Sequence, residues 1–308
     1  MYHFHFTQLS VIVRFLTDGK LPKYKGSALR GGLGRQLLEM YCVGEEERCE
    51  ECFLREKCIV QNVMYAPFRV KPDFVTEGGS AGYTLSCTDT RTQVSAGNEI
   101  EVRLILYGDV VAYFNPIIQA LFGLGQKGLG KDLIPFGIVA VRNRQGVDIL
   151  GAGTINVSKL LTETGAEYIE DRKEELGWND RSRIRLRFLS PCAIKRQGKI
   201  MTQFQEEALF QAVWRRVYMQ HLFEGYVIEP MMLRWEAQIK GQHAELQQVG
   251  RYSQRNQEKM NLLGITGWME LENVNNGVLE LLLAGEITCV GKNTRFGFGV
   301  YQVEALED

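Results

Sequence analysis

The sequence predicts an α+β protein made of two successive units, each with the element order strand, helix, strand, strand, helix, strand. The chain of 308 residues is long enough for two domains of ordinary size. Alternating β-rich segments and helical segments follow this order in both halves, and a glycine-rich turn precedes the last strand of each. This is the order of the ferredoxin-like (RRM-like) fold, so we expect two such domains in tandem. The alternative is a coincidental match of element order.

The first half starts with the alternating strand segment HFTQLSVIVRFL and an amphipathic helix from Ser27 to Cys42. Three glycines near the start of this helix are poor helix formers, so we expect another backbone or a ligand to approach closely there. A Cys-rich insertion follows, and the strands GYTLSCTDT and NEIEVRLILYG, the helix YFNPIIQALFGLG and a last strand complete the half. We assign residues 1–165 to this N-terminal domain and residues 42–64 to the insertion.

The second half follows an acidic segment from Thr162 to Asp180, which we interpret as a linker or a linker helix. The strand RSRIRLRFLSP opens it and is followed by the helix QEEALFQAVWRRVYMQHLF, strands around HAELQQVGRYS and NLLGITGWMELEN, and the short helix GVLELLLAG. The stretch GEITCVGKNTRFGFGVYQV then predicts a glycine turn and the final strand. We assign residues 181–308 to this C-terminal domain and residues 285–299 to the turn.

The composition restricts the classes of protein to which the chain can belong. A formal net charge of −1 argues against a generally basic nucleic-acid coat but permits a local basic surface. The sequence contains no apolar run long enough for a membrane helix and no charged region ahead of an apolar core, so we expect a cytoplasmic protein. Seven cysteines, an odd number, argue against a disulfide framework.

The strand that opens the second half carries four arginines at alternate positions. Because side chains alternate across a strand, all four project from one face, and apolar side chains project from the other. Arg binds phosphate bidentately, so the pattern predicts a phosphate-binding stripe; the alternative is pairing with the preceding acidic segment. The stripe and its basic extension are Arg181, Arg183, Arg185, Arg187, Lys195, Arg196 and Lys199.

Two further segments combine cations with aromatic residues or glycines. The segment RYSQR places a Tyr between arginines, which suits stacking on an unpaired base with phosphate contacts on either side. In the terminal turn, glycines allow backbone N–H groups to approach a phosphate and cations add charge, although a bare glycine turn is more often structural. The predicted binding residues of the two segments are Arg251, Tyr252, Arg255, Lys292, Asn293, Arg295 and Phe296.

Four cysteines have the spacing C-x6-C-x2-C-x5-C. A C-x2-C pair between two further cysteines is compatible with tetrahedral Zn²⁺ or an iron–sulfur cluster, so we predict that Cys42, Cys49, Cys52 and Cys58 bind a structural metal. The alternative is free thiols in a disordered insertion. No His accompanies the cluster, which argues against a catalytic metal.

Three segments of the second half resemble a known family. FLSPCAIKRQGK, RYSQRNQEKMNLLGITGWMEL and LLLAGEITCVGKNTRFGFGVYQV are similar to the CRISPR-associated endoribonucleases that process repeat RNA, the sixth-numbered Cas family of the RAMP superfamily. The last segment matches the glycine-rich G-loop of that superfamily. The first half resembles a Cys-rich subset of the family through KGSALRGGLGRQLLEMYC and the insertion. The resemblance covers most of the chain and is looser before Asp180.

The resemblance implies two ferredoxin-like domains that bind CRISPR repeat RNA and cut the precursor transcript once per repeat. In such proteins the ribose 2′-OH attacks the adjacent phosphate without a metal cofactor, which gives a 2′,3′-cyclic phosphate and a 5′-OH end. The implied partners are repeat RNA or the processed crRNA and subunits of a CRISPR effector complex, with no membrane.

The catalytic His that many members of this family carry in or near the first helix is absent here. The matching positions give Tyr24, Lys25, Arg30 and Arg35 as catalytic candidates, although Arg can only stabilise charge because it does not deprotonate. Two other functions stay open. One is a RAMP subunit that holds guide RNA in an effector complex without cutting it. The other is a small-molecule-binding ferredoxin-like protein, against which the clustered arginines argue.

Overall fold

The computed structural model describes residues 2–44, 49, 51–75, 81–151, 153–178, 182–228, 235–253 and 258–307. The chain forms two compact units. The first unit contains Phe4–Thr162 and Leu222–Tyr226, and the second contains Met1–His3, Glu163–His221 and Val227–Asp308. The first unit therefore ends three residues before the predicted limit at residue 165.

The first unit contains an antiparallel sheet with the strand order β3-β5-β1-β6, together with two long helices. Its main elements thus follow the ferredoxin-like order that we predicted. In chain order the elements are β1 (His5–Phe15), β2 (Gly19–Lys20), α1 (Gly26–Tyr41), α2 (Ile59–Met64), β3 (Tyr83–Ser86), β4 (Gln93–Val94), β5 (Glu99–Tyr107), α3 (Phe114–Lys127), β6 (Phe136–Asn143), β7 (Leu150–Gly151) and β8 (Thr154–Ile155).

The sequence pattern of β1 and α1 explains how they pack. In β1 the alternate residues Leu9 and Val11 are buried, as the period of two requires. A Cβ atom at Gly32 would lie 2.4 Å from the Leu124 side chain of α3, whereas none of the described atoms lies within 4 Å of a Cβ at Gly31. Side chains of neighbouring helices, rather than a ligand, therefore account for the close approach that we expected at Gly32.

The second unit repeats this arrangement with the antiparallel strand order β13-β14-β10-β15. Because each unit has its second, third, first and fourth main strands in the same spatial order, the tandem ferredoxin-like fold is confirmed. The remaining elements are β9 (Glu163–Thr164), α4 (Gly165–Leu176), β10 (Ile184–Cys192), β11 (Lys195–Arg196), β12 (Lys199–Ile200), α5 (Glu206–Phe223), β13 (Gln238–Ser253), β14 (Glu258–Glu272), α6 (Asn276–Thr288) and β15 (Tyr301–Ala305).

Helix α6 is buried at nearly every position from Val278 onward, as expected for a helix that is apolar on all sides. It continues to Thr288, so the glycine turn that we predicted to begin at residue 285 begins at Cys289 instead. Its one buried carboxylate, Glu286, accepts hydrogen bonds from the Tyr168 hydroxyl at 2.8 Å and from Nε of Arg172 at 3.1 Å.

Tyr168 and Arg172 belong to α4, which covers α6. The N-terminus of α4 has a capping box, in which the Thr164 and Glu167 side chains each bond the other residue's backbone N–H. The acidic segment that we interpreted as a linker therefore forms a packed helix of the second unit.

Strands β13 and β14 form a hairpin that is longer than the sheet to which it belongs. Strand β14 pairs with β10 as far as Ile265, opposite Cys192, whereas β13 and β14 continue to pair with each other to Ser253 and Glu258. Seven further residue pairs at about 3.4 Å each carry this hairpin roughly 24 Å beyond the last pair with β10. None of the helices in the described residues is long and apolar enough to cross a membrane.

Candidate nucleic-acid interface

The terminal turn (residues 289–300) is fixed to the end of β10 by backbone contacts. The N–H group of Lys292 donates to the Ala193 carbonyl at 2.8 Å. Gly299 has a φ of 74°, and a Cβ atom there would lie 1.9 Å from the carbonyl oxygen of Val290. Gly299 thus allows the turn to pack on its own backbone, a different reason from the phosphate approach that we predicted.

The side chains of the terminal turn bring together binding residues that we predicted from separate segments. Lys292 is exposed, and Asn293, Arg295 and Phe296 are half-buried. The Arg251 guanidinium of β13 lies 4.3 Å from the centre of the Phe296 ring, which is a cation–π distance. The hairpin and the terminal turn therefore meet at one place in the second unit.

A short hairpin adds two further cations beside the terminal turn. Lys195 of β11 and Lys199 of β12 are exposed, and Lys195 lies two residues after Ala193, which bridges to Lys292. We call Lys195, Lys199 and Lys292 the basic patch. Three exposed ammonium groups at one end of β10 can bind a phosphate backbone.

Four other predicted binding residues are not assigned to this patch. Arg196 of β11 is directed to the Glu207 carboxylate, with an N–O distance of 3.8 Å. Arg181, Arg255 and the side chain of Tyr252 lie outside the described residues.

Arg183, Arg185 and Arg187 keep the predicted alternation at the start of β10, and carboxylates neutralise Arg185 and Arg187. Nε of Arg185 donates to Glu270 at 3.1 Å, and Nε of Arg187 lies 2.8 Å from Oε1 of Glu304. These partners lie on the adjacent strands β14 and β15, not on the preceding acidic segment as our alternative supposed. Arg183 donates to the Glu307 carbonyl at 3.0 Å. Arg185 and Arg187 therefore belong to cross-strand pairs, and phosphate would have to compete with carboxylates for them.

Lys25, one of the catalytic candidates in the first unit, is completely buried. Its Nζ donates to the carbonyls of Asp89 and Arg91, both at 2.8 Å, and to Oδ1 of Asp89 at 3.2 Å. These contacts use all three donors of an ammonium group. We therefore correct the prediction for Lys25, because a buried side chain with all its donors engaged fixes a loop and does not contact RNA.

Arg30 lies beside two tyrosines. Burial alone lowers the pKa of its guanidinium, but the neighbouring Tyr83 and Tyr65 outweigh this effect and raise it. The guanidinium lies 6.0 Å from the Tyr65 ring centre, and Tyr65 is 36% exposed whereas Tyr83 is buried. The pair thus places the half-buried Arg30 beside the partly exposed phenol of Tyr65. No sequence pattern marks Tyr65, because the chain brings it to Arg30 only after the insertion.

The other two catalytic candidates are Tyr24 and Arg35. Tyr24 is half-buried, with Nζ of Lys23 5.3 Å from its ring centre. Arg35 is exposed on α1, five residues after Arg30, which places the two side chains about 140° apart around the helix. The structure does not bring Arg30 and Arg35 to one face.

The four clustered cysteines line one pocket of the first unit together with Leu38. Burial raises the pKa of the Cys49 thiol, and the other three thiols add to that shift. Among the described residues, no group of three or more His, Cys, Asp or Glu side chains is arranged as a ready metal site.

Comparison with known proteins gives two family matches. Residues 4–162, just over half of the chain, match the AF_1859_N family of N-terminal domains. Residues 186–301 match the CRISPR-associated endoribonuclease Cas6 family, and this range includes most of β10, the long hairpin and the terminal turn. An uncharacterized protein of Archaeoglobus fulgidus is 25% identical over 294 residues, which cover 92% of this chain and 93% of that protein.

Solved structures support the same fold. A Cas6 product complex has a TM-score of 0.57 at 16% identity, covering 97% of this chain and 99% of that one. Thermus thermophilus Cas6 has a TM-score of 0.51 at 12% identity, covering 97% and 98%. A chain of a partial Cas6-RT-Cas1–Cas2 complex has a TM-score of 0.59 at 12% identity over 99% of this chain, which spans under half (46%) of that longer chain. The chain therefore belongs to the AF_1859_N family through its first unit and is a Cas6-like protein through its second.

Proposed function

We propose that this protein binds CRISPR repeat RNA sequence-specifically and cleaves it without a metal ion, leaving 2′,3′-cyclic phosphate and 5′-OH ends. The observation that carries the proposal is the match of residues 186–301 to the Cas6 endoribonucleases, combined with an exposed basic patch inside that range. Partners from the CRISPR machinery are also expected, since one similar chain is part of a complex with Cas1 and Cas2.

RNA binding rests on the basic patch and the contact between Arg251 and Phe296. Exposed lysines bind phosphates and release counterions, so affinity for RNA should fall steeply with salt. Phe296 is half-buried and keeps part of its ring accessible beside Arg251, which suits stacking on an unpaired base. The stripe arginines Arg185 and Arg187 hold the sheet together and add less to binding, because Glu270 and Glu304 neutralise them.

Cleavage rests on Arg30 and Tyr65 of the first unit. The 2′-OH loses its proton to water as its oxygen bonds to phosphorus, and the bond from phosphorus to the 5′ oxygen breaks. Tyr65 donates its phenolic proton to that leaving oxygen and regains one from solvent. Arg30 stabilises the charge that develops on the phosphorane oxygens, a role that needs no deprotonation. Tyr65 thereby replaces Lys25 among the candidates.

A specific observation also favours a second function, RNA binding without cleavage. Helix α1 contains no His, and Lys25, which directly precedes it, is buried and fully engaged. A protein with this helix could hold guide RNA in an effector complex while another component performs the cleavage.

Incubation of the purified chain with its own labelled repeat RNA in excess EDTA tests the proposed cleavage. We expect one cut per repeat, a terminal cyclic phosphate, and loss of the cut but not of binding with a 2′-deoxy nucleotide at the scissile position. The Tyr65→Phe variant removes one hydroxyl and should slow cleavage by about 100-fold. Tyr226→Phe, a matched exposed tyrosine of the first unit, should cleave normally.

Absence of any cut in the authentic repeat, with tight and salt-dependent binding, would reject the nuclease and support the binding function. Equal cleavage rates in Tyr65→Phe and Tyr226→Phe would reject the role of Tyr65 alone.

A further inference from the structure

The described residues of the cysteine segment (residues 42–58) form no hydrophobic core of their own. Its apolar residues Val43 and Phe53 are 83% and 92% exposed. None of its described residues is buried, and the half-buried ones are Cys42, Cys49, Cys52, Leu54 and Cys58. Cysteines, rather than the large apolar side chains, therefore face inward, and something other than apolar burial must hold the segment.

The inward-facing cysteines meet at one place. All four line the same pocket, with Leu38 of α1 and Val60 of α2 as apolar neighbours. No carboxylate and no imidazole are among the side chains that line it. A donor set of four sulfurs is soft, and such a set selects Zn²⁺ or an iron–sulfur cluster over Mg²⁺ or Ca²⁺.

The backbone fixes three of these cysteines. Cys42 is the C-cap of α1, and its N–H group donates to the Leu38 carbonyl at 2.9 Å. The Cys52 carbonyl accepts from the Arg55 N–H at 3.0 Å, which closes a turn, and Cys58 is the N-cap of α2. Together with Cys49, which forms the chelating C-x2-C pair with Cys52, they join the end of one helix to the start of the next.

We propose that the four cysteines bind one Zn²⁺ ion as a structural site that closes the cysteine segment between α1 and α2. None of the four forms a disulfide, so each carries a thiol. On binding, each thiol releases one proton and forms one Zn–S bond, so four protons leave and no electron is transferred. Since the sulfurs are not arranged as a ready site, binding draws them to about 2.3 Å from the metal and to roughly 3.8 Å from one another. Zinc suits a purely mechanical role because it has no redox chemistry.

Metal analysis of the full chain, expressed with added zinc and purified without chelator, tests this site. We expect about one zinc per chain in the wild type and loss of most of it in the Cys52→Ser and Cys58→Ser variants. Cys87→Ala, which removes a buried thiol elsewhere in the first unit, should keep the full zinc content. Fewer than about 0.1 zinc per chain in the wild type, equal zinc in all variants, or iron with acid-labile sulfide would overturn the proposal.

Two measurements on the wild-type chain keep the proposal testable if the variants do not fold. Replacement of the metal with Co²⁺ should give the visible absorption of a tetrahedral cobalt thiolate, and its absence would count against the site. Removal of the metal should also speed tryptic cleavage at the exposed Arg55 and Lys57, and unchanged cleavage would contradict the closing role. Neither measurement depends on whether the protein cuts RNA.

Discussion

Two cationic regions lie on β10 and at its end, and they differ in what their charges contact. Along the strand, Arg185 and Arg187 pair with Glu270 and Glu304 of the neighbouring strands. At the end of the strand, the terminal turn and the β11–β12 hairpin carry the basic patch on exposed side chains. Side-chain ion pairs hold the arginines on the strand in place. Backbone hydrogen bonds hold the terminal turn and the β11–β12 hairpin in place.

This difference shows that the number of cations in a segment does not measure the charge that it offers to a ligand. The densest run of arginines in the sequence is the more neutralised region, because a sheet places carboxylates opposite it. The sparser lysines remain exposed because backbone hydrogen bonds hold their turns, as that from Lys292 to Ala193 does, and leave the side chains available.

The largest expected effect comes from a substitution that disrupts the backbone packing of the terminal turn. Gly299→Ala places a methyl group 1.9 Å from the Val290 carbonyl oxygen at a φ of 74°, so it should lower the free energy of unfolding by about 3 kcal/mol. Urea denaturation measures this loss, and RNA affinity should fall with it because the basic patch moves.

Gly137→Ala is the matched control, since its Cβ would meet no described atom within 4 Å. Similar stability losses in the two variants would show that the terminal turn is not rigidly packed.

A smaller effect should distinguish the two regions directly. Lys292→Ala removes a phosphate contact, so the slope of the logarithm of RNA affinity against the logarithm of salt concentration should decrease by about 0.7. Arg187→Ala removes a cation that Glu304 already neutralises and should leave the slope nearly unchanged. Fluorescence anisotropy with labelled repeat RNA at several salt concentrations measures both. The reverse ranking would mean that RNA displaces the carboxylates of the stripe.

The smallest effect should have the opposite sign. Glu304→Gln removes the carboxylate 2.8 Å from Arg187 and leaves its guanidinium more available to phosphate. RNA affinity should increase about 2-fold at low salt, since an exposed ion pair of this kind is worth less than about 1 kcal/mol. The same anisotropy measurement detects this change, and weaker binding would show that Glu304 orients Arg187 for RNA.

The fold could be predicted from the sequence because its periodicity is local and occurs twice. Alternation in β1 and β10 and the helical spacing in α1 and α3 require only neighbouring residues, and the repeated order of elements then gives the topology. The boundaries of elements and domains could not be predicted where they depend on tertiary packing. The acidic segment is a helix of the second unit because Arg172 bonds Glu286, a partner far along the chain.

The candidate site could be predicted only in part, for the same reason. The alternation of the stripe follows from its own sequence, whereas its partner Glu270 lies 85 residues away from Arg185. From the sequence, Lys25 resembles a surface cation, but in the structure it is hydrogen-bonded to Asp89, 64 residues away. Tyr65 becomes a candidate only through its contact with Arg30. Charge and spacing therefore indicate which residues can act, and tertiary contacts decide which of them are accessible.

In the long hairpin of β13 and β14, selection for recognition can act separately from selection for folding. Beyond Ile265 its backbone is held by pairing between its own two strands, so substitutions at its exposed positions, such as Gln248 and Asn261, leave the core of the second unit untouched, whereas Val249 is buried. Surface positions of this kind tolerate change at a cost usually within about 0.5 kcal/mol. Related proteins can therefore diverge in this projection without loss of the fold, which allows evolution to change what the hairpin recognises independently of how the domain folds.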